Sequence, residues 1–292
     1  MLFKGSGVAL ITPFNQDGSI DYQSLRKLIE FQIENQTDAI IINGTTGESA
    51  TLSFAEQSAL IEFTIKQVDG RIPVIAGTGS NDTQKMIKLS QEAERLGADG
   101  LLIVTPYYNK TSQTGLYEHF KAVHEQTNIP IILYNVPSRT QVNLEPETVY
   151  QLSQLERVVG LKDATGNFSD TLKVRALCGS DFALYSGNDD MIIPMMSLGG
   201  VGVISVLANV VPFETQQMTQ AFLDGDLETA EILQVKYAQL IEQLFIEPNP
   251  IPVKFVLSQM GYCENVLRLP LVPLSEDKQA AVNMVTKELK QS

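Results

Sequence analysis

A chain of 292 residues with 43% hydrophobic and 19% charged content has enough apolar mass for a sizeable core, as one large domain or two small ones. Its net charge of −13 argues against nucleic-acid binding, which needs a cationic surface, and no stretch approaches the roughly 18 to 20 uninterrupted apolar residues of a membrane span. Cys178 and Cys263 lie too far apart for a zinc knuckle and are too few for a disulfide framework; the start of the chain lacks a leader's charged-then-apolar pattern, so a cytoplasmic protein is expected.

Short apolar strands alternate with helical patterns along the chain. Strands are predicted at 8–12, 39–43, 73–77, 100–105, 129–135, 158–162, 182–186 and 202–206. Between them apolar residues fall at helical spacing, as in Leu25, Leu28 and Ile29, then Ile61, Ile65 and Val68. Ser53 and Glu56 form a capping box at one helix start. His119 and His124 are five apart on a predicted helix and share no face, so neither a metal site nor a catalytic histidine is expected.

Eight strand–helix units within about 220 residues suit a closed (β/α)₈ barrel better than an open doubly wound sheet. The barrel is assigned to residues 1–222 and a C-terminal helical extension to 223–292. The extension carries the stripe Ala230, Leu233, Tyr237, Leu240, Ile241 and Leu244, then breaks at the proline-rich EPNPIPVK of 247–254.

In such a barrel the chemistry gathers where the strands end. Those ends supply Thr45 and Thr46 after strand two, Tyr107 and Tyr108 after strand four, Tyr134 and Arg139 at strand five, Lys162 in strand six, Gly187 after strand seven, and Ile204 and Ser205 in strand eight. Each has an ordinary reading. A strand-end lysine is usually solvated, a tyrosine pair usually packs, an arginine is commonly a surface charge, and GTTGES serves as a turn before the Ser53 cap. The AGTGSND of 76–82 looks like a phosphate-binding loop but lacks the third glycine and the lysine of such motifs, and is read as close backbone approach at the mouth.

The coincidence of these groups at one end favours a specific chemistry. A lysine amine attacks a ketone, and the resulting imine turns the adjacent methyl group into an enamine nucleophile. Lys162 interrupts the apolar run VVGLKD, and burial there disfavours the ammonium form that blocks such attack. Tyrosine and threonine hydroxyls relay the protons without adding a permanent charge. No cofactor and no metal are called for.

With GTTGES at 44–49, TPYYNK at 105–110, YNVPSRT at 134–140, GLKDATG at 160–166 and NPIPVK at 249–254, the chain resembles the dihydrodipicolinate synthases over nearly its whole length. These belong to the pyruvate-dependent class I aldolases typified by N-acetylneuraminate lyase. The resemblance implies that Lys162 forms the Schiff base with pyruvate. It makes Tyr134 the proton donor and acceptor, in a relay with Thr45 and with Tyr108 from a neighbouring subunit. Thr46 would hold the pyruvate carboxylate, with Gly187 and Ile204 lining the pocket, and Arg139 would receive the carboxylate of L-aspartate β-semialdehyde. The implied product feeds diaminopimelate and lysine synthesis, and the implied assembly is a homotetramer.

Two other readings stand beside this one. One is a pyruvate aldolase acting on sialic or 2-keto-3-deoxy sugar acids, which the arginine after Tyr134 disfavours; the other is a non-catalytic barrel that binds carboxylates. The resemblance also locates a degenerate lysine-effector site. Ser49, Ala50, Asn81 and Tyr107 match it, but Phe54 and Gln57 replace two histidines and Lys85 replaces a glutamate. Weak or absent feedback by lysine is therefore expected.

Overall fold

The computed structural model describes residues 1–289. Eight parallel strands close into a barrel in sequence order: β1 (Gly5–Ala9), β2 (Ala39–Ile42), β3 (Val74–Gly77), β4 (Gly100–Val104), β5 (Ile131–Asn135), β6 (Val158–Asp163), β7 (Ala183–Ser186) and β8 (Gly202–Ser205). The barrel helices are α1 (Tyr22–Glu34), α2 (Phe54–Val68), α3 (Thr83–Leu96), α4 (Gln113–His124), the short α5 (Pro137–Thr140), then α6 (Pro146–Ser153), α7 (Phe168–Cys178), α8 (Ile192–Ser197) and α9 (Pro212–Leu223). Four more follow: α10 (Leu227–Lys236), α11 (Ala238–Leu244), α12 (Ile251–Gln259) and α13 (Glu276–Leu289). The expected (β/α)₈ barrel with added C-terminal helices is the fold observed.

The strands alternate between two apolar layers, as the two-residue pleat requires. Ala9, Ile41, Ile75, Leu102, Ile132, Ala183 and Ile204 fill the barrel interior. Their neighbours Val8, Ile40, Val74, Leu101, Ile131, Leu184 and Val203 instead pack into the main cluster shared with the helices. Leu25, Leu28 and Ile29 of α1 are fully buried in that cluster, and the Ser53–Glu56 capping box opens α2 with both reciprocal bonds made. Among the described residues no helix is long and apolar enough to cross a membrane.

The main departure is β1, expected over 8–12 but found at Gly5–Ala9. Gly5 to Val8 pair with Gly202 to Ser205, which closes the barrel. Just beyond it the Leu10 amide still reaches the Ile41 carbonyl, but the Ile11 amide donates to the Asn209 side chain instead and the ladder ends. The apolar run LITPF misled because it packs as a buried loop. Tyr237 also breaks the expected continuous stripe into α10 and α11.

Candidate active site

The direction of Lys162 is set by a one-residue bulge. β6 pairs Val158 with Ile131 but Gly160 with Ile132, so Val159 is an extra residue. After it, Leu161 falls opposite outward-facing Leu133, and Lys162 falls opposite Tyr134, which faces the interior. Without the extra residue the phase would reverse and the amine would point among the helices. A lysine inside an apolar strand is thereby explained: Lys162 is buried within the barrel, with its Nζ 4.3 Å from the centroid of the Tyr134 ring.

Burial brings the Lys162 amine down to about 8, against the Asp189 carboxylate that favours its charged form; the Arg139 charge assists the lowering. Holding this amine neutral at pH 7 costs about 1 to 2 kcal/mol, against about 4 to 5 for a free lysine. Burial raises the Tyr134 phenol above its ordinary value, opposed by the Arg139 charge and by a hydrogen bond with Thr45. Tyr134 therefore keeps its proton, and the Thr45 hydroxyl lines the same cavity.

A cavity of about 190 Å³ surrounds these groups, lined by Thr45, Thr46, Tyr134, Arg139, Lys162, Gly187 and Asn249 among others. Drug-sized ligands occupy roughly 300 to 1,000 Å³, so this volume suits a ligand of few heavy atoms. Gly187 is required by space, since a Cβ there would stand 2.7 Å from that of Ala164. Ile204 lies in the interior cluster with Tyr134. Arg139 sits on α5 at the rim, exposed, its Nη2 donating to the Asn249 carbonyl at 3.2 Å. Tyr108 is not brought to this cavity. It is 94% exposed, with φ of +72°, a backbone conformation uncommon for a residue with a side chain.

Two buried residues of the site carry no role in the sequence reading. Asp189 lies just beyond β7 and accepts the Val206 and Leu207 amides at 3.0 and 2.9 Å, holding the turn after β8. Burial raises its carboxyl above the usual range. Asn249 comes from the proline-rich break before α12 and donates to Thr46 Oγ1 at 2.9 Å. The signal for Asp189 was an acid beside Gly187 at a strand end; for Asn249 it was a polar residue within the matching NPIPVK.

The sequence model of the "Dihydrodipicolinate synthetase family" matches residues 2–289. The chain belongs to that family. A 4-hydroxy-tetrahydrodipicolinate synthase of Alkaliphilus oremlandii is 53% identical over 275 residues, 94% of each chain. The crystal structure of dihydrodipicolinate synthase from Aquifex aeolicus is 46% identical with a TM-score of 0.97, covering 99% of this chain and 98% of that one. The family's structure from Cyanidioschyzon merolae with lysine bound is 38% identical, with a TM-score of 0.97, covering 100% of this chain and 99% of that one.

A larger cavity, of about 710 Å³, adjoins the first and shares Thr45 and Arg139 with it, but does not include Lys162. All the positions expected from the resemblance to form a degenerate effector site line it: Ser49, Ala50, Phe54, Gln57, Asn81, Lys85 and Tyr107. The Gln57 amide is occupied locally, donating to the Leu52 carbonyl at 3.0 Å. Lys85 is exposed, 4.0 Å from Asp82, and Lys88 lies over the Phe54 ring at 4.7 Å from its centroid. The AGTGSND loop borders this cavity and makes the expected close approach: a Cβ on Gly79 would lie 2.6 Å from the Val104 amide.

Proposed function

We infer that the chain is a 4-hydroxy-tetrahydrodipicolinate synthase, a lyase of the class I aldolase type that condenses pyruvate with L-aspartate β-semialdehyde on the route to diaminopimelate and lysine. The observation that carries this reading is the Lys162 amine inside the barrel, brought down to about 8 and set against Tyr134.

The neutral amine attacks the pyruvate ketone. Loss of water, with protons carried by Tyr134 and Thr45, leaves a protonated imine. The Thr46 hydroxyl holds the pyruvate carboxylate, Gly187 leaves room beside it, and Ile204 walls the pocket. A methyl proton leaves to give the enamine, whose carbon bonds to the aldehyde. The semialdehyde's amino group then attacks the imine carbon, closing the ring and releasing Lys162. Arg139 meets the second substrate's carboxylate with a planar fork of donors, a match that the uncharged polyhydroxylated aldehyde of the sialic-acid lyases does not offer. The small volume around Lys162 supports the same choice.

The assembly proposed is a cytoplasmic homotetramer in which Tyr108 serves the relay of a neighbouring subunit. Its exposure and its unusual backbone support a role outside its own barrel.

The test is mass spectrometry after pyruvate and borohydride, with peptide mapping. A pyruvate-derived mass on Lys162, absent from Lys162→Ala, is expected. A folded protein that gains no adduct would leave a carboxylate-binding barrel without this chemistry. Turnover of sugar acids by the native protein, undiminished in Arg139→Ala, would replace the second substrate.

A further inference from the structure

Asn249 takes no part in the steps above, yet it connects the two residues given to substrate carboxylates. It is buried, its Nδ2 donates to Thr46 Oγ1 at 2.9 Å, and its carbonyl accepts from Arg139 Nη2 at 3.2 Å. A threonine hydroxyl has one proton and two lone pairs. With the amide donating to that oxygen, the Thr46 proton is left for another acceptor, and Thr46 lines the cavity that holds Lys162.

We propose that Asn249 is a positioning residue that makes Thr46 a hydrogen-bond donor to the pyruvate carboxylate and holds Arg139 over the mouth for the second carboxylate. The proposal rests on the reading of this cavity as a pyruvate site. The opposite amide orientation would let Oδ1 accept the Thr46 proton and would present only lone pairs to a carboxylate, which repels them. In the observed orientation Oδ1 is buried without a hydrogen-bond partner among the described residues. An unmet acceptor of this kind calls for a reason. Keeping the Thr46 proton free for the substrate supplies it. The arrangement favours a carboxylate: it presents a free donor there, which a methyl group cannot use, and leaves an ammonium only the one remaining lone pair of Thr46.

The two arms separate in experiment, because Asn249→Ala removes the amide but keeps the carbonyl that holds Arg139. In steady-state kinetics the pyruvate KM should rise about tenfold with kcat little changed, as for loss of one buried hydrogen bond made equally in ground and transition states. In a Thr46→Val background the same change should add less than about twofold, since its target is gone. Asn249→Asp keeps the shape and reverses the donor. As a carboxylate it captures the Thr46 proton, so the pyruvate KM should exceed that of Asn249→Ala at neutral pH. It should fall again as the introduced carboxyl protonates and regains a donor. The unsubstituted protein, scanned over the same range, controls for Lys162, Tyr134 and the Arg139 charge, which line the same cavity, and for the Asp189 carboxylate, whose charge acts on Lys162.

Equal effects in the Thr46 and Thr46→Val backgrounds would overturn the proposal. So would lower stability with an unchanged pyruvate KM, which would make Asn249 a packing residue only. If Asn249→Ala does not fold, the isosteric Asn249→Asp decides alone, and a KM that ignores pH counts against us. Failure of the unsubstituted protein to trap pyruvate would instead remove the underlying reading of the site.

Discussion

Lys162 and Asp189 form an unequal pair, and the inequality can be measured. With the amine at about 8, roughly one molecule in ten carries it neutral at pH 7. The rate of pyruvate trapping with cyanoborohydride should therefore climb with pH through a midpoint near 8. The Asp189 carboxylate favours the ammonium form, so Asp189→Asn should move that midpoint to lower pH. An unmoved midpoint would mean that Asp189 acts only through the amides of Val206 and Leu207. Lys85 permits a prediction of the same kind at the larger cavity. If, as we propose, this cavity is the counterpart of a lysine-effector site, the Lys85 ammonium repels the effector's own ammonium, so millimolar lysine should leave the rate nearly unchanged. Half-inhibition at that concentration would show that Lys85 turns away or that the effector binds elsewhere.

Among the elements, the loop bearing Thr45 and Thr46 is tied to α12 by a buried ion pair. Lys254 Nζ lies 2.5 Å from Glu48 Oε1, and both side chains are almost wholly removed from solvent. The pair is at charge-assisted hydrogen-bond distance through Oε1, while Oε2 accepts the Arg268 amide at 3.0 Å. The Lys254 ammonium also sits 4.1 Å from the Phe14 ring centroid and donates to the Val266 carbonyl. Lys254→Met should cost about 3 to 5 kcal/mol in urea unfolding, because Glu48 is left buried and charged without its ammonium partner. Adding Glu48→Gln should recover much of that loss; full additivity of the two changes would show that they are not partners. Periodicity revealed the barrel strands and the α1 and α2 stripes, and strand ends pointed to Lys162, Tyr134 and the threonines, because those signals are local. The β1 register, Asp189, Asn249 and the Lys254–Glu48 pair were not legible. Each depends on which distant segment arrives opposite: Gly202 for Gly5, and Asn249 for Thr46 across 203 positions. The Val159 bulge, which aims Lys162, likewise leaves no mark in composition.

For the whole molecule, we propose that residues 223–292 act as an extension that completes the barrel of 1–222, although the observed α9 runs to Leu223 and residues 290–292 lie outside the described residues. A chain ending at residue 222 should retain most of the barrel's helices and strands by circular dichroism yet fail to trap pyruvate, lacking Asn249 and Lys254. Trapping at the native level would make the extension dispensable to the site. The assembly has its own test. If Tyr108 serves a neighbour, Lys162→Ala and Tyr108→Phe subunits, each nearly inactive alone, should regain activity when unfolded and refolded together. The recovered sites would combine an intact Lys162 with an intact Tyr108 from different chains, and no recovery would place Tyr108 outside the relay. Closure of the barrel also has a consequence for synthesis on the ribosome. β1 bonds to β8, 197 positions later (202 − 5), so at roughly 5 to 20 residues per second its outer edge waits about 10 to 40 s for its partner. Its sequence, GSGVA, suits that delay: two glycines and a serine make it a poor template for a stray strand, so the nascent chain can leave this edge bare until β8 emerges.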